Sequence, residues 1–226
     1  HDPCTARYQE GVRASVRSIC AKIGLPVTET TIGAELADCC GYGGLMQFAN
    51  RPLGGKAADL KAGRSTTDEG LAYCAMCREN MVGSKTHMAH LLDCLFADPK
   101  KDPLTRARVG LSGRHEQRAR LKARLQSTLW QDPAESSAPH RAIRLEMDDE
   151  IRVLLEERLI LVEDMQKVIH QAETTGRYLH NPANGRRLAS FKPAVVTYWA
   201  EYEPADDGFI LHSGYSHRMQ LPEADS

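Results

Sequence analysis

No apolar run in the chain approaches the ~20 residues that a membrane-spanning helix needs, so no such span is predicted. There is no signal-peptide pattern and no internal repeat. There is also no Gly-x-Gly-x-x-Gly dinucleotide fingerprint and no ferredoxin-type cysteine run. No grouping of Ser, His and Asp stands out, which leaves triad hydrolysis without support. The histidines His180, His212 and His217 are scattered and match no zinc spacing. Net charge is close to nil, at -1, so bulk electrostatics give no argument for nucleic acid or an anionic membrane surface. The chain also lacks an initiator Met. It opens His1-Asp2-Pro3-Cys4, and a key cysteine this early reads as a chain cut from something longer.

What is there is an ordinary globular composition, 26% charged and 42% hydrophobic over 226 residues, enough for one large domain or two small ones. It also has seven cysteines. An odd number without a secretory signal argues against a disulfide framework and for reduced thiols in a cytosolic setting.

Five of the seven form the most informative pattern in the chain: Cys4, then Cys39-Cys40-Gly41-Tyr42-Gly43-Gly44, then Cys74-Ala75-Met76-Cys77. Converging thiolates bind soft metals. Neighbouring side chains normally diverge, so Cys39 and Cys40 reach one site only if the backbone bends sharply, which Gly41, Gly43 and Gly44 permit. Five thiolates is one more than tetrahedral zinc takes, which tilts the reading towards an iron–sulfur centre. Zinc on four of the thiolates and a metal-free redox thiol pair stay open as alternatives. Cys20 and Cys94 sit on helical patterns and read as packing. His87, His90 and Lys85 lie close in sequence to Cys77; they read as a solvated surface, with Lys85 and His87 as speculative neighbours of the centre.

The cysteine pattern, with the flanking His1-Asp2-Pro3-Cys4 and Cys77-Arg78-Glu79-Asn80, resembles the cysteine-rich CCG domain of heterodisulfide reductases and their relatives. The resemblance covers about residues 1–98. It implies a [4Fe–4S] cluster of non-cubane type, held by Cys4, Cys39, Cys40, Cys74 and Cys77, although some members of the family bind zinc. Relatives carry two such motifs in tandem, and this chain has one. More softly, residues 114–130, 198–202 and 212–219 resemble the end of multidomain pyridine nucleotide-disulfide oxidoreductase/dicluster-binding proteins. That resemblance implies flavin/NAD(P)H oxidoreductase and ferredoxin-type domains or subunits as partners, and a cytoplasmic electron-transfer module of an oxidoreductase.

Periodicity predicts a helix over 7–23, stopped by Gly24 and Pro26. It predicts a short strand at 26–30, one or two helices within 45–63, a strand at 71–73 and a helix over 81–96. This is an α/β layout for the CCG domain, residues 1–98. Residues 99–140 read as a linker carrying a basic helix over 114–130, with Arg114, Arg118, Arg120, Lys122 and Arg124, and Leu121, Leu125 and Leu129 on one stripe. Residues 141–226 read as a small α+β domain. Its helices are predicted at 148–157 and 162–174, and its three-stranded antiparallel sheet at 187–191, 195–203 and 208–217, with a hairpin turn at 204–208. Tyr198 and Tyr202 fall on one face of the middle strand and Trp199 on the other.

Overall fold

A computed structural model describes residues 1–82, 86–96, 98, 100–131 and 138–219. The chain forms two compact units, His1–Arg108 and Val109–Ser226.

In the first unit, helix α1 (Glu10–Lys22) ends at Gly24, which takes the left-handed conformation that a side chain disfavours. Only Cys20 of this helix is buried, while Val12 is exposed. Polar anchors hold it instead. Arg17 bonds both oxygens of buried Asp2, at 2.7 and 2.8 Å, and pairs with Glu29. The strand predicted at 26–30 does not form. Among the described residues no strand pairs with its β-branched residues, and strand propensity expresses fit to a sheet rather than a backbone preference. The segment is pinned by the buried Lys61, whose Nζ donates to the Ile32 carbonyl at 3.0 Å. Helices α2 (Met46–Ala49) and α3 (Arg51–Ala62) follow; Asn50 caps the second by accepting from Leu53 N–H at 3.1 Å.

Strand β1 (Glu69–Ala72) pairs in parallel with β2 (His87–His90), Glu69 opposite His87 and Ala72 opposite His90. Parallel strands need a crossover, and helix α4 (Ala75–Met81) lies within it. The helix predicted over 81–96 is therefore replaced by the end of α4, β2 and a short α5 (Leu91–Phe96). Met88, Ala89, His90 and Leu91 are buried in succession, as in a strand covered on both faces. Gly70 stands opposite Met88, and a Cβ there would lie 2.4 Å from Met88 Sδ. The core of this unit is Cys40, Ala58, Ala72, Cys77, Met81 and Met88. Its centre is thus built from thiols, small side chains and two methionines.

In the second unit, α6 (Gly110–Leu125) contains most of the predicted basic helix and continues into a wider turn at Gln126–Trp130. Its predicted leucine stripe is open, with Leu121 and Leu129 exposed. The helix is held at its start, where Leu111 N–H donates to the Glu156 carboxylate and Ser112 Oγ accepts from Val162 N–H. Two amphipathic helices, α7 (Asp149–Glu157) and α8 (Val162–Thr175), follow β3 (Leu145–Glu146) and pack on a sheet made with β4 (Leu179–His180), β5 (Arg187–Phe191), β6 (Thr197–Ala205) and β7 (Gly208–His217). The order is β3-β7-β6-β5-β4. The predicted three-stranded antiparallel sheet is thus corrected to a five-stranded mixed sheet, with β3 parallel to β7 and the remaining neighbours antiparallel. The two added edge strands are two residues each, too short for period-two alternation to register.

Register in this sheet depends on a bulge. Glu201 faces Ser213 and Tyr202 faces Leu211, so His212 is the extra residue on β7. The bulge lets Leu211 and Gly214 both turn to the helices, where a Cβ on Gly214 would sit 2.7 Å from Leu155 Cδ2 and Met165 Sδ. Tyr198 and Tyr202 share the core face, and Tyr202 is fully buried. On the other face Trp199 stacks on Tyr215 at 5.7 Å and donates from Nε1 to His217 Nε2 at 3.1 Å.

Candidate metal centre

Cys74 leaves the end of β1 and caps α4, so Cys74 and Cys77 flank the first turn of one helix. The Cys74 thiol is lowered to about 5, foremost by a hydrogen bond from Cys77, against burial, with the N–H groups of Cys77 and Met76 also donating. Cys40 reaches the same place from the glycine loop. Gly41 takes a φ of +82° and lies so close to α3 that a Cβ would come 2.2 Å from the Gly54 carbonyl oxygen. Its N–H donates to Cys39 Sγ at 3.3 Å. Asn80, one turn beyond Cys77, donates to the Cys40 carbonyl at 2.6 Å and so ties the loop to α4.

The opening residues are fastened just as firmly. The backbone nitrogen of His1 donates to Leu71 O at 2.6 Å, on β1. Asp2 accepts from Tyr73 Oη at 2.8 Å and from Arg17. Burial pushes the Asp2 carboxyl up, but the Arg17 and Tyr73 hydrogen bonds outweigh it and hold the group below the usual carboxylate range.

Among the described residues, one group of metal-ligating side chains comes together: His1, Cys40 and Cys77, with ligand atoms all within 4.8 Å of one another. In a tetrahedral site with metal–sulfur bonds of ~2.3 Å and metal–nitrogen bonds of ~2.0 Å, ligand atoms lie about 3.5 Å apart. Cys40 and Cys77 are each 4% exposed. Cys77 is pushed far up by its hydrogen bonds to Cys40 and Cys74, and Cys40 well down by the same bond from Cys77. The donor set of soft thiolates plus an imidazole fits a thiophilic metal.

Of the five expected ligands, Cys40 and Cys77 belong to this group, and Cys4, Cys39 and Cys74 do not. Cys74 is joined to Cys77 through their hydrogen bond. Cys39, half-buried, is next to Cys40. Cys4 is exposed, on the turn Cys4–Ala6; partial burial raises its thiol, and the charges of Cys39 and Cys40 raise it further. Cys20 and Cys94 stand outside the group as free thiols, Cys20 buried in α1 and Cys94 half-buried in α5. His87 is exposed, but on β2 rather than on a helix. His90 is buried, and its Nδ1 caps α5 by accepting from Leu92 N–H at 3.1 Å. Lys85 lies outside the described residues.

Three supports of the site escape sequence reasoning. In the sequence, His1 reads only as a flank of the first cysteine, and Asn80 follows the last one without an evident role. Arg78, fully buried, donates to the carbonyls of Met88 and Ala107, each at 3.1 Å, and pairs with Glu79. The signal that could have found the last two is the run Cys77-Arg78-Glu79-Asn80, whose polar residues directly follow a metal-type cysteine and are all buried. No protein-family model, curated protein or solved structure matches the chain.

Proposed function

We propose that the first unit is an iron–sulfur electron-transfer module of a heterodisulfide reductase-like oxidoreductase, with Cys4, Cys39, Cys40, Cys74 and Cys77 as the cluster ligands. The observation that carries this reading is the meeting of buried Cys40 and Cys77, from stretches distant in sequence, with their sulfurs within 4.8 Å. When bound, a cluster supplies one-electron redox chemistry, with a potential set by its hydrogen bonds and burial. The chain's own contribution is to hold the thiolates close, to bend the doublet through Gly41, and to aim the Gly41 N–H at Cys39. The partners in this reading are flavin/NAD(P)H oxidoreductase and ferredoxin-type domains or subunits in the cytoplasm. Residues 141–226 serve protein contacts.

A second reading is a zinc-stabilised interaction module without redox activity. It is favoured by the size of the mutually close group, three side chains, which suits one ion better than a polynuclear cluster. Anaerobic purification separates the two. The first reading expects brown protein with iron and acid-labile sulfide, and loss of both in Cys40→Ser. The second expects colourless protein with about one zinc per chain. Protein lacking any metal overturns both.

A further inference from the structure

His1 is the one non-sulfur member of the close group, and its environment sets it apart from a surface histidine. Both ring nitrogens are buried and neither has a hydrogen-bond partner. Buried ring nitrogens left in this way are rare in folded proteins. Here they sit where a ligand atom would be satisfied, since a ring nitrogen lies within 4.8 Å of both the Cys40 and the Cys77 sulfur. The ring is also held in place by its backbone. The His1 nitrogen is bound to the Leu71 carbonyl at 2.6 Å, and the adjacent Asp2 is locked by Arg17 and Tyr73. An imidazole on an anchored segment loses little freedom when it ligates.

We propose that His1 supplies a nitrogen ligand to the metal held by Cys40 and Cys77, adding a nitrogen donor to the thiolates of the proposed centre. This rests on the metal-centre reading above and holds for iron or zinc. Imidazole is a harder, neutral donor than thiolate, so its presence lowers the negative charge of the buried site by one relative to a further cysteine.

The test uses Co²⁺ as a spectroscopic probe on the full chain, reduced and anaerobic, in wild type, His1→Ala, His1→Gln, His1→Cys and Cys40→Ser. In wild type we expect sulfur-to-cobalt charge-transfer absorption together with nitrogen hyperfine coupling in pulsed EPR. His1→Ala and His1→Gln should lose the nitrogen coupling and bind Co²⁺ at least about tenfold more weakly. His1→Cys should restore tight binding, still without nitrogen coupling, and with stronger charge-transfer absorption from the added thiolate. That rescue separates ligation from a general loss of folding. Unchanged affinity and nitrogen coupling in His1→Ala and His1→Gln would overturn the proposal. If Cys40→Ser still abolishes binding in that case, the metal-centre reading survives and only the role of His1 falls. Failure of wild type to bind Co²⁺, iron or zinc would overturn both.

Discussion

Replacing Gly41 by alanine tests the bend that delivers Cys40 to its partners. Gly41 has a φ of +82°, and an added Cβ would meet the Gly54 carbonyl oxygen at 2.2 Å and Ala57 Cβ at 3.0 Å. The left-handed backbone costs a non-glycine residue about 1–2 kcal/mol. The clash is with backbone, which cannot swing aside, and overpacking of this kind costs about 1–3 kcal/mol more. The sum is about 2–5 kcal/mol, against a domain stability of about 5–15 kcal/mol. Cys20 offers a built-in reporter, because it is 1% exposed in the same unit and outside the metal-ligating group. Its alkylation, followed residue by residue by mass spectrometry, measures how often the unit opens. With about 1.4 kcal/mol per factor of ten, Gly41→Ala should label Cys20 at least about 30-fold faster than wild type. Gly43→Ala is the control, since nothing lies within 4 Å of its Cβ position and its φ is unremarkable; it should label like wild type. Equal labelling of Gly41→Ala and Gly43→Ala would refute the argument that a close Gly41–Gly54 approach shapes the site.

Asn80→Ala leaves the buried Cys40 carbonyl without its donor. It should destabilise the first unit by about 1–3 kcal/mol, read by the same Cys20 labelling, and should weaken Co²⁺ binding. Gly214→Ala places a Cβ 2.7 Å from Leu155 and Met165 and should cost about 1–3 kcal/mol, measured by urea unfolding followed through Trp199 fluorescence. Glu163 is drawn down from 4.5 to about 2: burial raises it, but hydrogen bonds from His140 and His115, the charge of Lys167 and a hydrogen bond from Arg141 prevail. A depressed folded value means that this stability is fully present above pH 4.5 and is lost as pH falls towards about 2. After a discount for solvent screening, it amounts to about 1–2 kcal/mol. Glu163→Gln should therefore flatten the acid limb of stability in that window, and an unchanged limb in acid titrations by circular dichroism would contradict the assignment.

Much of the fold was legible because long elements carry periodicity. The bounds of β5 and β7 match the predicted 187–191 and 208–217, and α7 and α8 match within a residue. What failed had a physical cause in each case. The run 81–96 is apolar enough to pass for a helix, but its residues 87–90 pair in parallel with β1 instead. Strands β3 and β4 carry no pattern of their own and exist because β7 and β5 offer them edges. The basic helix reads as part of a linker, yet it belongs to the second unit through Leu111 and Ser112. At the centre, the cysteine spacing singled out the stretches that hold Cys40 and Cys77, which meet with His1. Spacing could not reveal that His1 turns inward, because that depends on the tie to Leu71 and on the Asp2–Arg17 pair. Nor could it give Asn80 its role, which exists only once the doublet loop lies against α4.

In the proposed reading, thiolates from separate stretches share one metal centre. X-ray absorption at the edge of the metal in anaerobically purified full chain tests it most directly. Sulfur scatterers are expected at about 2.3 Å, with the metal lost from Cys40→Ser and Cys77→Ser alike. A metal surrounded by oxygen and nitrogen alone, or one retained in both variants, would contradict it.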